Sequence, residues 1–248
     1  MNLVECILTK NDCYKAGRKI TPKGVMVHST GANNPKVSRY VPGDSVIGKN
    51  AYNNHWDKSG VQKCVHAFIG KFANGSIGTV QTLPWNHRGW HCGKGSKGSG
   101  NDTHISFEIC EDGLTDASYF KAVYREAVEL TAKLCKDYNL DPLKDGVVIC
   151  HNEGYKRGIA SNHGDVLHWF PKHGKSMDDF RNDVKTAMSG TTTKPVKVQI
   201  TSVVDVYSAP PVSQVTTKGV YTIVEEKNGY GKLKSGVGWI KLSEVKKL

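Results

Sequence analysis

Two short apolar segments of this 248-residue chain each lead directly into a histidine. Residues 147–150 precede His151, and residues 24–27 precede His28. Apolar runs of this length between turn residues predict buried strands. Because the ligands of an open α/β sheet gather beyond the carboxyl ends of its strands, the two histidines are candidates for a common site. A single histidine at a strand end is more often structural, so the inference depends on the pair.

The segment that contains the second histidine is rich in groups that bind protons or metals. A loop with several glycines, residues 154–164, is expected to return the chain towards the end of the strand. From residue types alone, a polar surface loop is an equally good interpretation. Residues 147–170 hold three histidines and one aspartate: His151, His163, His168 and Asp165.

A carboxylate interrupts the most regular strand pattern in the chain. In residues 104–110, three large apolar side chains alternate with Ser106 and Glu108, so the two sets lie on opposite faces of a strand. A buried carboxylate is costly unless it is paired, hydrogen-bonded or close to a metal. A structural salt bridge is the simpler explanation, but we expect a functional role for Glu108.

Amphipathic helices follow these strands and indicate an α/β fold. Apolar residues recur at helical spacing in residues 116–138 and 176–188. Ser176 and Asp179 form a variant capping box at the start of the second helix. Asn74 and Gly75, between two apolar runs, predict a hairpin.

The pattern changes after residue 188. Residues 189–197 are polar, flank a proline and predict a linker. Residues 198–248 contain only short strand-like segments separated by turns, which suggests a small β-barrel. Nine lysines and four acidic residues give residues 189–248, here named the tail, a net charge of +5, out of +11 for the whole chain.

The net charge of +11 favours polyanionic partners. No nucleic-acid-binding signature accompanies it, so nucleic acid is not favoured. Anionic cell walls remain a candidate class of partner, and solvated lysines with no special partner are a common alternative explanation of the charge. No apolar run approaches the roughly 18 residues that cross a membrane, and no membrane partner is expected. The first residues lack the pattern of a signal peptide, which predicts a chain that is made in the cytoplasm and either stays there or leaves by another route.

Seven cysteines occur without a C-x-x-C pair. Several fall in predicted strands or in a helix, so we expect buried reduced thiols and no obligatory disulfide framework.

Two imidazoles and one carboxylate, from His28, His151 and Asp165, are a common three-ligand set for catalytic zinc. Zinc lowers the pKa of a bound water to about 7 and polarises carbonyl groups. Such chemistry needs a general base, for which Glu108 is the candidate. Spacing alone makes this site only plausible, because no short helical zinc motif is present.

Four motifs in order make residues 20–188 resemble the type-2 N-acetylmuramoyl-L-alanine amidases, whose fold the peptidoglycan recognition proteins share. They are VMVHSTG at the first strand, HAFIGKFANGSIGTVQTLPWNHRGWHCG ending in a W-H-x-G, HISFEIC, and VVICH. The resemblance implies a mixed central sheet flanked by helices, zinc held by His28 and His151, and Glu108 as the catalytic glutamate. His66, Trp90 and His91, in the second motif, are predicted to bind substrate.

The chain departs from the family's pattern after His151, where the loop is longer and Asp165-Val166 stands in the place of Asp-Pro. We expect Asp165 to be the third zinc ligand, with His163 and His168 as alternatives. His163 also occupies the position where the family often has a lysine that stabilises the oxyanion, and it is expected to do that work.

The tail resembles bacterial SH3-like wall-binding domains through residues 207–210 and 229–240. A catalytic amidase joined to such a module is the arrangement of phage endolysins and bacterial autolysins. The resemblance therefore implies a zinc amidase that cuts the bond between the lactyl group and L-alanine in the peptidoglycan of a Gram-positive wall, as an endolysin. A non-catalytic peptidoglycan receptor and a stem-peptide peptidase are the alternatives, and the oligomeric state is left open.

Overall fold

The computed structural model describes residues 1–189, 196–200, 205–207, 213–215, 219–227, 229–234 and 238–247. The chain divides into two compact units, Met1–Met188 and Ser189–Leu248. None of the helices described in these ranges is both long enough and apolar enough to cross a membrane.

The first unit is built on a six-stranded mixed sheet. Its strand order is β1-β4-β3-β5-β2-β6. The strands β3 and β4 form the predicted antiparallel hairpin, and every other neighbouring pair is parallel. The mixed central sheet is thus confirmed. Its strands are β1 (Leu3–Glu5), β2 (Gly24–Ser29), β3 (Ala67–Lys71), β4 (Ile77–Gln81), β5 (His104–Ile109) and β6 (Val148–Cys150).

Four helices accompany the sheet. They are α1 (Asp12–Lys15), α2 (Ala117–Asp137), α3 (His151–Lys156) and α4 (Met177–Met188), with short 3-10 turns at Val37–Arg39, Gly100–Asp102 and Phe170–His173. The two long helices, α2 and α4, agree with the sequence patterns. Asp116 caps α2 by accepting hydrogen bonds from the backbone of Ser118 and Tyr119, and the predicted capping box between Ser176 and Asp179 is present.

The sheet has two different faces. The helix face carries the apolar side chains of alternate positions, such as Val25, Val27 and Phe107, which pack with α2 and α4 in the largest core cluster. The opposite face, here named the cavity face, carries His28 and Glu108. Parallel pairing of β2 with β5 sets these two residues opposite each other in the register.

The chain after β6 differs from the expected loop, because His151 is the first residue of α3. The carboxylate of Glu153 accepts a hydrogen bond from the backbone N–H of Cys150 at 3.0 Å, which satisfies a free donor at the helix start. Arg181 of α4 pairs with the same carboxylate at 3.1 Å and stabilises the turn. The predicted glycine loop is therefore helical over its first residues.

The expectation that all cysteines are reduced was wrong for two of them. Cys13 in α1 and Cys64 form a disulfide across 51 residues of sequence. Their separation hides the pair, since only the fold brings α1 beside the segment that precedes β3. The other five are free, and four of these are buried: Cys92, Cys110, Cys135 and Cys150.

The second unit is an antiparallel sheet with strand order β13-β7-β10-β11-β12-β8-β9. Ile223, Leu233 and Ile240 form a small buried cluster within it. Two of its strands, β9 and β13, were not predicted. Most of the predicted linker lies outside the described residues, and the SH3-like assignment stays a prediction. The strands are β7 (Val196–Ile200), β8 (Asp205–Tyr207), β9 (Ser213–Val215), β10 (Gly219–Lys227), β11 (Tyr230–Leu233), β12 (Trp239–Lys241) and β13 (Lys246–Lys247).

Candidate metal centre

Three potential metal ligands meet beyond the carboxyl ends of β2 and β6. The Nδ1 atoms of His28 and His151 lie 3.1 Å apart. Oδ2 of Asp165 lies 3.1 Å from Nδ1 of His28 and 3.6 Å from Nδ1 of His151. Ligand atoms at tetrahedral positions around one zinc ion would be roughly 3.3 Å apart. The three side chains therefore have both the composition and the spacing of a zinc-binding group.

The local electrostatics favour the forms of these groups that bind metals. Burial lowers the pKa of His28, against the opposing effect of Asp165. Burial alone would raise the pKa of Asp165, but hydrogen bonds to His151 and His28 outweigh it and hold that pKa below its usual range. A neutral imidazole and an ionised carboxylate result, and metal ions bind these forms.

Glu108 lies in the same cavity, on the strand next to His28. The cavity has a volume of about 510 Å³, and His28, Glu108, His151 and Asp165 are among the residues that line it. Oε2 of Glu108 is buried and has no hydrogen-bond partner among the described residues. Burial raises the pKa of Glu108 well above its usual range, and the negative charges of Asp165 and Glu111 raise it further.

His163 is exposed and lines the cavity beside His151. The two rings lie 4.6 Å apart, centroid to centroid. Oγ of Ser161 joins them, at 3.2 Å from Nδ1 of His163 and 3.4 Å from Nε2 of His151. The position of His163 is thus fixed by a neighbour that the sequence interpretation did not single out.

The structure brings two of the three predicted substrate-binding residues to the cavity. Trp90 and His91 line it, whereas His66 is fully buried and is not among the lining residues. His66 instead accepts a hydrogen bond from the backbone of Ser106 at 3.0 Å, and its Nε2 contacts the carbonyl of His87 at 2.8 Å.

His168, the other alternative for the third ligand, binds elsewhere. Its Nε2 lies 2.9 Å from Oε1 of Glu111, and that oxygen also accepts a hydrogen bond from the backbone of Gly31. Glu111 thereby connects the segment after Asp165 with the loop that follows β2.

Sequence reasoning missed Ser161, Asn101 and Glu111, which hold the cavity wall in place. Oδ1 of Asn101 accepts hydrogen bonds from the backbone of His91 and Cys92. Each of these three residues is an ordinary polar residue of a loop or strand end. The only available signal was the turn chemistry of residues 99–101, where Ser99 caps a 3-10 turn.

The N-acetylmuramoyl-L-alanine amidase family matches residues 17–167, more than half of the chain. The chain belongs to this family. The match covers β2 to β6 together with Glu108 and the three candidate ligands of this amidase-family protein, and it confirms the family predicted from the four motifs.

Two curated relatives match shorter segments of this amidase-family chain. The N-acetylmuramoyl-L-alanine amidase CwlA of Bacillus sp is 35% identical over 79 residues, which are 27% of this chain and 31% of the relative. The N-acetylmuramoyl-L-alanine amidase CwlH of Bacillus subtilis is 42% identical over 60 residues, which are 24% of this chain and 23% of the relative. The matches thus span less than a third of these relatives.

Among solved structures, the Staphylococcus aureus hydrolase AmiA, in complex with its ligand, has a similar fold. The TM-score is 0.52 at 22% sequence identity, covering 76% of this chain and 83% of AmiA. At this identity the similarity shows the fold alone.

Proposed function

We propose that the chain is a zinc-dependent N-acetylmuramoyl-L-alanine amidase that hydrolyses the amide bond between the lactyl group and L-alanine in peptidoglycan. One observation carries the proposal. His28, His151 and Asp165 converge at zinc-ligand spacing in a cavity that Glu108 also lines, and Oε2 of Glu108 is buried with no hydrogen-bond partner among the described residues. Membership of the amidase family supports the choice of substrate.

The donor set fits zinc better than a hard cation, because two of the three ligands are imidazoles and only one is an oxygen. A zinc ion held by these residues would polarise the scissile carbonyl and make a water molecule more acidic. Three protein ligands leave a fourth position free for substrate or water, as in catalytic zinc sites.

The other residues then have separate tasks. Glu108 would take the proton of the attacking water and pass it to the leaving amine, since it is a carboxylate that lines the cavity and its Oε2 has no hydrogen-bond partner among the described residues. His163, which lines the cavity beside His151, would donate a hydrogen bond to the developing oxyanion. Trp90 and His91, which line the cavity, would contact the glycan or the peptide.

Chelation and product analysis together test this proposal. The purified chain is treated with a chelator, dialysed, and incubated with soluble muropeptides before and after addition of zinc. We expect chelation to abolish cleavage, zinc to restore it, and mass spectrometry to find free lactyl groups and new L-alanine amino termini. Full activity of the metal-free protein would exclude zinc catalysis. Cleavage within the stem peptide would identify a peptidase, and zinc-independent binding without cleavage would identify a receptor.

We further propose that the second unit is an SH3-like module that holds the enzyme on a Gram-positive wall, and that the whole chain acts as an endolysin after synthesis in the host cytoplasm. The tail's net charge of +5 would add attraction to anionic wall polymers. Residues 194–248 fused to a fluorescent protein should bind whole cells at low and at high salt. Binding only at low salt would reduce the module to a basic patch, and no binding at either would remove the targeting role.

A further inference from the structure

His91 makes a contact that substrate binding does not require. Its Nδ1 lies 2.9 Å from Nε2 of His28, the ring nitrogen that faces away from the other candidate ligands. The two rings meet edge to face, with centroids 5.0 Å apart. His28 is therefore held from both sides, by Asp165 and His151 at Nδ1 and by His91 at Nε2.

The position of His91 is itself tightly determined. Its backbone N–H donates to Oδ1 of Asn101 at 2.9 Å. Its ring lies against the backbone of Gly89, where an added Cβ would come within 2.8 Å of Cδ2 of His91. The glycine therefore leaves room for the imidazole in the position from which it contacts His28.

We propose that His91 is a positioning residue of the metal centre, which fixes both the orientation and the tautomer of His28 so that Nδ1 of His28 carries a lone pair for zinc. This inference rests on the proposed zinc function. A histidine that binds a metal through one nitrogen characteristically donates a hydrogen bond from the other, and the partner sets the tautomer. In this arrangement Nε2–H of His28 donates a hydrogen bond to the unprotonated Nδ1 of His91. The single N–H proton of the neutral His91 ring then lies on its own Nε2.

The surroundings of that last nitrogen strengthen the inference. Nε2 of His91 is buried and has no hydrogen-bond partner within the described part of the chain. A buried polar atom without a partner costs stability. The contact with His28 is the one hydrogen bond that the described residues give this imidazole, so a purely structural role would be served better by an apolar side chain.

Three substitutions of His91, to Asn, Gln and Phe, distinguish the roles of its two ring nitrogens. Asn places its amide oxygen where Nδ1 stands, and so keeps an acceptor for His28. Gln places its amide where Nε2 stands and loses that acceptor, and Phe loses both. His66→Phe is the matched control, because His66 is a buried histidine whose two nitrogens bond to backbone groups instead of to a candidate ligand.

Two quantities are measured on the full chain: the zinc dissociation constant, by competition with a chromophoric chelator, and the melting temperature of the metal-free protein. We expect His91→Phe and His91→Gln to weaken zinc binding roughly 10- to 100-fold, the usual effect of losing such a partner. His91→Asn should keep the wild-type affinity. The metal-free His91→Phe protein should melt no lower than the wild type, whereas His66→Phe should melt lower and bind zinc normally.

The results distinguish this inference from the function on which it rests. If the wild type binds zinc and His91→Gln binds it equally well, the positioning role is overturned while the amidase proposal stands. If His91→Phe and His91→Asn both melt lower with unchanged zinc affinity, His91 is structural. A wild-type chain that binds no zinc overturns both proposals. Should His91→Phe fail to fold, the contrast between Gln and Asn still decides.

Discussion

Two glutamates on opposite sides of the same sheet, Glu126 and Glu108, have very different surroundings. Glu126, on α2 at the helix face, accepts hydrogen bonds at Oε1 from Oγ1 of Thr79 at 2.8 Å and from the backbone of Asn2 at 2.9 Å. Oε2 of Glu108, on the cavity face, has no partner in the described ranges. The carboxylate of Glu126 thus joins α2 to β4 and to the amino terminus, whereas Oε2 of Glu108 is available to contact a molecule in the cavity.

Two histidines, His66 and His91, show the same contrast. Both ring nitrogens of His66 bond to backbone groups, whereas Nε2 of His91 lacks a partner in the residues that the structure describes. Buried polar groups are normally satisfied, and exceptions are concentrated where a protein needs reactivity. The difference teaches that hydrogen-bond partners, more than residue type, separate these two cavity groups from their structural counterparts. An unpartnered buried atom alone does not mark the functional side, because Nε1 of Trp169 and Nε2 of His173, at the helix-face core, also lack partners among the described residues.

Loss of a metal ligand should have the largest effect on the cavity side. Asp165→Ala removes the ionised carboxylate of the three-ligand group, so we expect loss of zinc and of all cleavage. His163→Ala should retain zinc and slow turnover by about 10²–10³, the usual effect of losing an oxyanion donor. Metal analysis by mass spectrometry and muropeptide kinetics measure both. Zinc loss from the His163 variant, with retention in the Asp165 variant, would mean that the third ligand is His163.

The two glutamates can be compared by the same substitution. Glu108→Gln keeps the shape of the side chain but cannot accept a proton, so turnover should fall by about 10²–10⁴ with zinc still bound. Glu126→Gln, the matched control, should leave turnover unchanged and lower the unfolding free energy by about 1 kcal/mol. Equal activities of the two variants would remove Glu108 from the mechanism, and loss of zinc from Glu108→Gln would make it a ligand or a structural group.

The burial of His66 should make the unfolding free energy of the protein depend on pH. Burial lowers its pKa to about 4, despite the hydrogen bond to the carbonyl of His87. The imidazole of His66 therefore takes up a proton near pH 6.5 in the unfolded chain and only near pH 4 in the folded chain. The contribution of neutral His66 to the unfolding free energy is fully present above pH 6.5 and is lost as the pH falls towards 4. His66→Gln lacks this titration. The stability advantage of the wild type should shrink by on the order of 3 kcal/mol across that range.

Urea unfolding of both proteins at several pH values between those limits measures this difference. A constant difference would show that His66 is as easily protonated in the folded chain as in the unfolded one.

The smallest effect is expected at Ser161, which contacts His151 from outside the ligand group. Ser161→Ala should weaken zinc binding about tenfold, the lower end of the range for such partners. Thr131→Ala, which removes a buried hydroxyl bonded to the carbonyl of Ala127 within α2, should change stability alone. Chelator competition on both variants decides whether the hydroxyl of Ser161 supports the metal centre.

Much of this arrangement could be predicted from the sequence, because strands and long helices leave strong periodic signals. Alternation in residues 104–110 placed Glu108 opposite the apolar face, and helical spacing gave α2 and α4 nearly to the residue. The contrast between His66 and His91 could not be predicted, because both are histidines in one motif and only their hydrogen-bond partners differ. The disulfide and the contact of Ser161 with His151 join residues that only the tertiary fold brings together.

The register of β2 against β5 has a consequence for how the chain tolerates insertions. His28 and Glu108 face one cavity because both strands keep their apolar alternate residues on the helix face. Adding one residue upstream in either strand would reverse the face of every position after it, and would send one of the two groups into the core. Loops around the cavity can change in length while the two groups stay aligned, so the hydrophobic residues of β2 and β5 preserve the geometry of the candidate site from the other face of the sheet.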